Sequence, residues 1–273
     1  MGELDKVPVV MAITGVDPTG GAGLQADIET LASMGCHAAP VVSTVTAQDT
    51  TDVKALLAIE PELIMQQARV VLEDMPVHAF KLGLLGSVEA VEVVHTLLTD
   101  YPDIPVILDP VFAAGGGAEL GDEYTIEATI SLLLPLTTIA TPNSHEARKL
   151  APESDTLDAC AMAILERGTE FVLITGTHEK TPQVCNTLYS NHRRLETFRW
   201  ERLPESYHGS GCTLAAAIAG LLAQGEEPLT AVHEAQEYTW QALRTGYRIG
   251  MGQRLPNRLF WASEQDDEAD DAG

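Results

Sequence analysis

The most regular feature of this chain is an alternation of short apolar runs with stretches of helical periodicity. Apolar runs rich in β-branched residues occupy 7–14, 38–46, 77–83, 104–109, 137–141 and 170–175. Stretches in which apolar residues recur with the period of an α-helix lie between most of them, at 22–34, 61–74, 87–99, 122–133, 144–150 and 156–167. Strands that alternate with helices over short connections predict a doubly wound α/β fold, with a mainly parallel sheet and helices on both faces.

The last third of the chain departs from this alternation. Two strand-like runs, 183–190 and 194–200, are separated by a short polar segment and predict a hairpin at one edge of the sheet. Two helices are expected after the hairpin, at 210–224 and 228–246. The first of these helices is apolar on nearly every side, and we therefore expect it to be buried.

The domain organisation follows from composition along the chain. No linker divides residues 1–262, which predicts a single domain, whereas 263–273 carry six carboxylates and predict a disordered acidic tail. The apolar run at 7–16 lacks a basic flank and indicates a buried strand rather than a signal peptide. No apolar stretch is long enough to span a bilayer, and four scattered cysteines without a C-x-x-C pair favour a cytoplasmic protein.

The charge balance excludes some classes of partner. The chain has 16 basic and 40 acidic residues, which gives a net charge of −24. Such a chain lacks the cations that replace counterions on nucleic acid or bind an anionic membrane, so neither is expected as a partner. An acidic, lysine-poor surface fits a protein of a salty cytoplasm, where repulsion is screened, and an ordinary acidic enzyme is the equally open alternative.

Candidate chemistry is expected in the loops at the carboxyl ends of the strands, where open α/β sheets bind ligands. The first such loop, 15–23, is rich in glycine, which would let the backbone approach a ligand and leave several amides free. It matches neither the P-loop nor the dinucleotide-binding fingerprint. Asp27 follows one turn into the next helix. The alternative is a tight turn, with Asp27 as a solvated helical residue.

The second candidate site combines residues that follow two successive predicted strands. Asp109 ends the run 104–109, and Asn143 and Glu146 come directly after the next run. A carboxylate at one strand end and an Asn-x-x-Glu at the next could hold a hydrated Mg²⁺, which needs few carboxylates. The alternative makes Asn143 a helix N-cap, with Glu146 closing a capping box. The sequence favours capping, and the two roles are compatible.

The third candidate site opens the buried helix. Gly209, Ser210 and Gly211 would expose backbone amides at the positive end of the helix dipole, which is a typical anion site. Cys212 would lie in the same field, where the pKa of a thiol is expected to fall. The alternatives are a glycine-rich cap and a buried cysteine that only packs.

Taken in order, these segments resemble the hydroxymethylpyrimidine/phosphomethylpyrimidine kinases of thiamine biosynthesis, within the ribokinase-like superfamily. Six segments carry the resemblance: Gly20–Asp27, Thr46–Thr50, Lys81–Gly86, Leu108–Val111, Thr141–Glu146 and His208–Leu214. The resemblance extends over about residues 9–246. It implies a ribokinase-like fold, ATP as co-substrate with Mg²⁺, and a pyrimidine alcohol as acceptor.

The resemblance also implies roles for individual residues at the reacting end. Cys212 stands where the superfamily usually has its catalytic aspartate, and it is expected to act with Gly209 and Gly211. Gln48 would bind the aminopyrimidine edge, whose paired donor and acceptor a carboxamide can match. The remaining residues expected near the pyrimidine are Gly15, Asp27, Leu84 and Val111.

At the nucleotide end, the resemblance implies ATP contacts from Asn143, Glu146, Thr175 and Ser210, and Mg²⁺ held by Glu146 and Asp109. This sequence departs from the family at two places. Thr175 stands where members often have a lysine near the ATP phosphates, and Gly115–Gly117 replace a second lysine. The phosphate charge would then be met by the metal ion, backbone amides or an arginine.

The leading hypothesis is ATP-dependent phosphorylation of the hydroxymethyl group of 4-amino-5-hydroxymethyl-2-methylpyrimidine, followed by phosphorylation of its monophosphate to the diphosphate. A pyridoxal kinase is the alternative within the same fold, since pyridoxine-type alcohols have a similar size. An alternative of another class is a non-catalytic pyrimidine-binding module. The oligomeric state is left open, with a homodimer as one alternative.

Overall fold

The computed structural model describes residues 7–113 and 120–262. The predicted tail at 263–273 and the glycines at 115–117 therefore lie outside the described residues, and the division into one domain and a tail stays a prediction. The strands of the described part are β1 (Val9–Val16), β2 (His37–Gln48), β3 (Val53–Ala58), β4 (Val77–Leu82), β5 (Val106–Leu108), β6 (Ile139–Ala140), β7 (Phe171–Ile174), β8 (Gln183–Ser190) and β9 (Arg193–Glu201).

These strands form one sheet in the order β3-β2-β1-β4-β5-β6-β7-β8-β9. The six central strands, from β2 to β7, pair in parallel. The flanking strands β3, β8 and β9 pair antiparallel. The mainly parallel, doubly wound sheet is thus confirmed. The chain runs from β1 to β2 in one direction and returns to β4 on the other side of β1, which creates a crevice at the carboxyl ends of β1 and β4.

The predicted edge hairpin is confirmed as β8 and β9. Its turn residues Asn191 and His192 have φ angles of 51° and 54°, the left-handed conformation that a two-residue hairpin turn requires. The opposite edge carries β3, which the sequence analysis did not predict. Residues of β3 are exposed or only half-buried, so the strand lacks the continuous apolar run of the central strands. It pairs with β2 up to Gln48 and forms a second hairpin there.

The helices are α1 (Gly23–Ser33), α2 (Pro61–Asp74), α3 (Val88–Asp100), α4 (Glu123–Ala128), α5 (Ser144–Leu150), α6 (Leu157–Glu166), α7 (Ser210–Ala223) and α8 (Pro228–Arg244). The helix predicted at 122–133 is regular only as far as Ala128. A π-helical turn at Thr129–Leu133 and a 3-10 turn at Leu134–Leu136 follow, and the second turn contains Pro135. Proline cannot donate the backbone hydrogen bond that a continued α-helix would need.

Helices cover both faces of the sheet, as predicted. Successive residues of β1 point to opposite sides: Met11 and Ile13 belong to the core under α2, α3 and α6, whereas Val10 packs in the core under α1, α7 and α8. Helix α7 is buried over most of its length, which confirms the prediction from its apolar sequence. No helix in the described ranges is long and apolar enough to cross a membrane.

Candidate active site

A cavity of about 510 Å³ opens at the carboxyl edge of the sheet. It extends from Gln48 at the end of β2 to Thr175 after β7, and four strands separate β2 from β7. Every predicted site residue except Asp27 lines it: Gly15, Gln48, Leu84, Asp109, Val111, Asn143, Glu146, Thr175, Gly209, Ser210, Gly211 and Cys212. The fold therefore brings together loops that are far apart in the chain.

Helix α7 begins against this cavity. Its N-cap Gly209 has φ +84° and provides no side-chain cap. A side chain at this position would collide with the carbonyl oxygen of Gly21, so a glycine is required for the close approach of the two loops. The first amides of a helix have no acceptor within it, and they carry the positive end of the dipole. The start of α7 thus has the geometry of the predicted anion site.

The glycine-rich loop after β1 is organised around Asp17. Its carboxylate accepts hydrogen bonds from the amides of Thr19 and Ala22, each at 2.8 Å, and from Nε2 of His208 at 2.8 Å. Burial opposes the charge of this carboxylate, but the hydrogen bonds outweigh it and lower the pKa of Asp17 to about 2. The amides expected to be free for a ligand are therefore engaged within the loop, which corrects the prediction for this segment.

Beneath the cavity lies a buried cation. Lys81 on β4 is fully buried, and its Nζ lies 3.0 Å from Oδ2 of Asp27 and 3.8 Å from Oδ2 of Asp109. Burial favours the neutral amine, yet the two carboxylates together raise the pKa of Lys81 and keep it charged. Asp27 is itself fully buried, so its carboxylate lies behind the cavity wall rather than at the predicted pyrimidine site.

Cys212 lies beside this ion cluster. Burial raises the pKa of its thiol to about 12, because the nearby Lys81 does not offset the combined effect of burial and the charges of Asp109 and Asp27. The expectation that the helix dipole lowers this pKa is wrong, since burial and two carboxylates outweigh one helix terminus. The thiol is protonated at neutral pH, and its proximity to Asp109 opposes the rise that burial causes in the pKa of that carboxyl group.

The capping box predicted at α5 is present. Oδ1 of Asn143 accepts from the amides of His145 at 2.9 Å and Glu146 at 3.0 Å, and the Glu146 carboxylate accepts from the Asn143 amide at 2.8 Å. Burial, together with the charge of Asp109, raises the pKa of Glu146 to about 8. Because the charge of Asp109 raises the pKa of Glu146, a cation bound at these two carboxyl groups would relieve their repulsion.

The residues present fit a hydrated magnesium ion. Oδ2 of Asp109 is buried and accepts no hydrogen bond from the residues that the structure describes. Within those residues, no group of three or more His, Cys, Asp or Glu side chains is arranged to enclose a metal. Mg²⁺ keeps several waters and binds through one or two carboxylates plus substrate phosphates, so Asp109 and Glu146 would suffice.

Among the described residues, one arginine, Arg202, lines the end of the cavity near β7, and its guanidinium is already engaged. It donates to the backbone carbonyls of Thr177 at 2.8 Å, Glu179 at 2.9 Å and Thr181 at 3.0 Å, and thereby holds the loop after β7. The amide of Thr175 donates to the carbonyl of Pro142 at 3.0 Å. These residues shape the loop, and neither provides a free cation at this end of the cavity.

The same end of the cavity has an aromatic wall that the sequence analysis missed. The rings of Trp200 and Trp240 stack with centroids 6.3 Å apart. Behind them, Gln236 accepts from Asn186 at 2.9 Å and from Trp200 at 3.1 Å. These residues come from β8, β9 and α8, and no local motif connects them. A flat apolar wall with satisfied polar groups suits a heteroaromatic base.

A segment after α8, outside the predicted resemblance, joins both parts of the site. The amides of Gly252 and Gln253 donate to Thr50 in the turn between β2 and β3, at 2.9 and 3.0 Å. The carbonyl of Arg254 accepts from the His208 amide at 2.9 Å. The segment therefore links the turn beside Gln48 to the residues that lead into α7.

Known proteins share this architecture over nearly the whole chain. The hydroxymethylpyrimidine/phosphomethylpyrimidine kinase of Streptomyces coelicolor is 37% identical over 251 residues, 90% of this chain and 92% of that protein. The enzyme of the same name from Synechococcus elongatus is 38% identical over 252 residues, 90% of this chain and 95% of that protein.

Solved structures agree with the sequence relatives. A phosphomethylpyrimidine kinase from Clostridium difficile 630 has a TM-score of 0.75 at 30% identity and covers 87% of this chain and 100% of its own. An ADP complex of Bacillus subtilis pyridoxal kinase has a TM-score of 0.86 at 27% identity and covers 94% of this chain and 99% of its own. The family model described as phosphomethylpyrimidine kinase matches residues 17–257. This chain belongs to the phosphomethylpyrimidine kinase family.

Proposed function

We propose that this chain transfers the terminal phosphoryl group of ATP to the hydroxymethyl group of 4-amino-5-hydroxymethyl-2-methylpyrimidine, and then to the resulting monophosphate. One observation carries the proposal: a single cavity contains Gln48 at one side of the sheet and Asn143, Glu146 and Thr175 at the other, with the start of α7 between them. An acceptor and a nucleotide bound at the two sides would meet at α7. The fold thus supplies the proximity that phosphoryl transfer needs.

At the acceptor side, Gln48 is a half-buried carboxamide at the end of β2. Its oxygen and its amino group can accept from and donate to the edge of an aminopyrimidine at the same time. Gly15, Leu84 and Val111 line the cavity around this position and leave room for a flat ring. The recognition is thus assigned to one polar side chain and a narrow apolar slot.

At the nucleotide side, the amides of Ser210 and Gly211 would bind the migrating phosphoryl oxygens. Asp109 and Glu146 would hold Mg²⁺, which supplies neutralisation of phosphate charge when bound. Thr175 and the loop that Arg202 holds border the phosphate chain, and the Trp200–Trp240 wall receives the base. The charge of the missing lysines is then met by backbone amides and the metal ion.

The acceptor hydroxyl must lose a proton as its oxygen attacks phosphorus. Because the thiol of Cys212 is itself protonated, it can accept this proton only while its own proton passes on. Asp109, whose carboxyl group interacts with the thiol, is the neighbouring acceptor. The O–H and the original S–H bonds break, new S–H and carboxyl O–H bonds form, and ADP leaves with the electrons of the broken P–O bond.

The test is product analysis by mass spectrometry with ATP, Mg²⁺ and the pyrimidine alcohol, with the Cys212→Ala variant purified in parallel to exclude a contaminating kinase. We expect the monophosphate first and the diphosphate later. Binding of the alcohol without release of ADP would instead support a non-catalytic pyrimidine-binding module.

A second candidate activity is phosphorylation of pyridoxal, which the similarity to a pyridoxal kinase structure supports. The family model and the relatives at 37% and 38% identity favour the pyrimidine. We therefore expect kcat/KM for the pyrimidine alcohol to exceed that for pyridoxal, measured with the same enzyme preparation. A reversed ratio would assign the chain to the alternative.

The proposal includes a reducing compartment, the cytoplasm, because all four cysteines (Cys36, Cys160, Cys185 and Cys212) are free. A homodimer stays a prediction, and sedimentation of the purified chain tests it. Neither nucleic acid nor a membrane is part of the proposed function, since a net charge of −24 opposes binding to anionic polymers and surfaces.

A further inference from the structure

Arg258 is the bulkiest of the fully buried side chains in the described part of the protein. A buried guanidinium costs free energy unless each of its donors finds an acceptor. Its backbone is held firmly: the hydroxyl of Tyr238 on α8 donates to the Arg258 carbonyl at 2.6 Å, and the amide of Asn257 donates to Ala242 at 2.8 Å. The family match ends at residue 257, one residue before it.

The guanidinium reaches the loop after β1 and the first turn of α7. Nη1 and Nη2 donate to the carbonyls of Gly20, at 3.4 Å, and Gly21. Nε donates to Oγ1 of Thr213, in the first turn of α7, at 3.0 Å. Glu29 supplies the counter-charge, with Oε2 at 3.0 Å from Nη1. One planar fork thus holds the loop after β1 to the first turn of α7, a geometry that lysine cannot reproduce.

A hydrogen-bond relay continues from Thr213 to the anion site. Oγ1 of Thr213 accepts from Arg258 and donates to the carbonyl of Gly209 at 2.9 Å, where it reinforces the helical hydrogen bond from the Thr213 amide at 3.0 Å. In a trans peptide the carbonyl and the following amide point in opposite directions. Holding the Gly209 carbonyl towards Thr213 therefore fixes the amide of Ser210 away from the helix. The Gly21 carbonyl, which Arg258 also holds, is the group against which Gly209 packs.

We propose that Arg258 is a positioning residue for phosphoryl transfer, which fixes the amides at the start of α7 through Thr213 and the Gly21 carbonyl. This inference rests on the proposed function of those amides. Arg258 does not line the cavity, so it acts on phosphate through the backbone. Its role is separate from that of the metal ligands.

The first test compares Thr213→Val, Thr213→Ser and Arg258→Lys in steady-state and single-turnover kinetics. Thr213→Val keeps the shape of the side chain but breaks the relay, and we expect kcat to fall between about ten- and a hundredfold, with the KM for the pyrimidine within twofold of wild type. Thr213→Ser restores the hydroxyl and is expected to regain most of that loss. Arg258→Lys keeps the charge but not the fork, and is expected to resemble Thr213→Val.

Glu29→Gln is the matched control, because it removes the counter-charge of the Arg258 guanidinium without changing the loop after β1 or the first turn of α7. We expect it to lower the melting temperature while kcat stays within twofold of wild type. If Thr213→Val and Arg258→Lys likewise lower only stability and leave the kcat of the folded enzyme unchanged, Arg258 only packs and the proposal is overturned.

A second readout separates this proposal from the proposed function. In ¹⁵N-labelled wild type, ATP is expected to shift the amide signals of Ser210 and Gly211, and in Thr213→Val these shifts are expected to shrink. A wild type that shows the shifts but forms no pyrimidine phosphate contradicts the proposed substrate and leaves the role of Arg258 supported. The role of Arg258 would be refuted if ATP did not shift these amide signals in the wild type, or if it shifted them equally in Thr213→Val.

Discussion

The carboxylate of Asp17 accepts a hydrogen bond from Nε2 of His208 at 2.8 Å, although 191 positions separate the two residues in the chain. The contact joins the loop after β1 to the segment that leads into α7. It holds the glycine-rich segments of the two loops next to each other. The fold stabilises the charged form of a carboxylate that is buried and fully hydrogen-bonded. The free energy of unfolding therefore depends on pH.

We expect Asp17→Asn to lower the free energy of unfolding at pH 7 by about 2 kcal/mol. This value follows from the pKa of Asp17, which falls from 3.8 in the unfolded chain to about 2 in the folded protein. Because the folded pKa is depressed, this stabilisation is complete above the unfolded pKa and is lost as the pH falls through the folded pKa. The difference between variant and wild type, measured by urea unfolding, should therefore shrink between pH 4 and pH 2. Asp155→Asn, at an exposed position, is the control. An equal and pH-independent effect of both changes would contradict the assignment.

Lys81→Met is expected to destabilise the protein by about 3–5 kcal/mol, because it leaves two buried carboxylates without their cation. Adding Asp27→Asn should recover part of that loss, since it removes one of the unpaired charges. Lys54→Met is the matched control: Lys54 is exposed, and its ion pairs with Asp49 and Asp52 are solvated, so we expect a change of about 0.5 kcal/mol or less. Chemical denaturation measures the free energy of unfolding of all three variants. Similar losses for Lys81→Met and Lys54→Met would argue against a buried ion cluster.

Gln48→Ala is expected to weaken binding of the pyrimidine alcohol by about 1–3 kcal/mol, while ATP affinity changes little, because the ring edge loses its hydrogen-bond partner. Calorimetric titration of each ligand measures the two effects separately. Gln67→Ala is the control, since Gln67 exchanges hydrogen bonds with Val42 at 3.0 and 3.1 Å and does not line the cavity. Equal losses for both ligands would remove Gln48 from the acceptor site.

Cys212→Ala is expected to slow single-turnover phosphoryl transfer by about 10²–10⁴-fold, the usual loss when a proton-transferring group is removed. Cys212→Asp should recover part of the rate, because it places the superfamily's usual base at the same position. Cys36→Ala, which removes a buried thiol outside the cavity, should leave the rate unchanged. A near-normal rate for Cys212→Ala would mean that the cysteine only packs.

Alkylation should distinguish the cysteines by their burial. Cys185 is only half-buried and is expected to react first, whereas the raised pKa of Cys212 should make it slow. The pyrimidine is expected to protect Cys212 further. Peptide mass spectrometry after timed treatment measures the order, and faster labelling of Cys212 would contradict its assigned environment.

The melting temperature is expected to rise from low to molar potassium chloride, because salt screens the repulsion of a chain with a net charge of −24. A flat curve would leave the ordinary acidic enzyme as the explanation. Deleting residues 264–273, which carry six carboxylates, is expected to leave activity unchanged and to reduce the salt response slightly.

The features that the sequence predicted are those encoded by neighbouring residues. Apolar runs, helical periodicity and the polar turn at 190–192 are local, and they predicted the parallel sheet, the β8–β9 hairpin and the buried α7. The loops at the strand ends followed from the same alternation. Edge strand β3 escaped prediction because all of its residues are exposed or half-buried and no apolar run marks it. The end of α4 at Ala128 escaped because the apolar periodicity of the sequence continues into the π-helical turn at Thr129–Leu133.

The features that the sequence missed depend on contacts between distant segments. The motif that contains Lys81 was recognised, but the ion cluster arises only when β4 is placed against α1 and β5. A lysine inside an apolar strand was the one available signal. The pKa of Cys212 was predicted in the wrong direction because the helix terminus was visible in the sequence and the burial was not. Arg258 follows α8 without any periodicity, so nothing local distinguishes it from an exposed arginine.

The position of this arginine in the chain has a consequence for biosynthesis. Synthesis proceeds from the N-terminus, and all nine strands of the described sheet precede Arg258. A nascent polypeptide can therefore complete the sheet and both glycine turns while the residue that fixes them to each other is still inside the ribosome. The anion site at α7 should therefore mature after the sheet, which delays nucleotide turnover until the segment from Gly252 to Arg258 has emerged and docked.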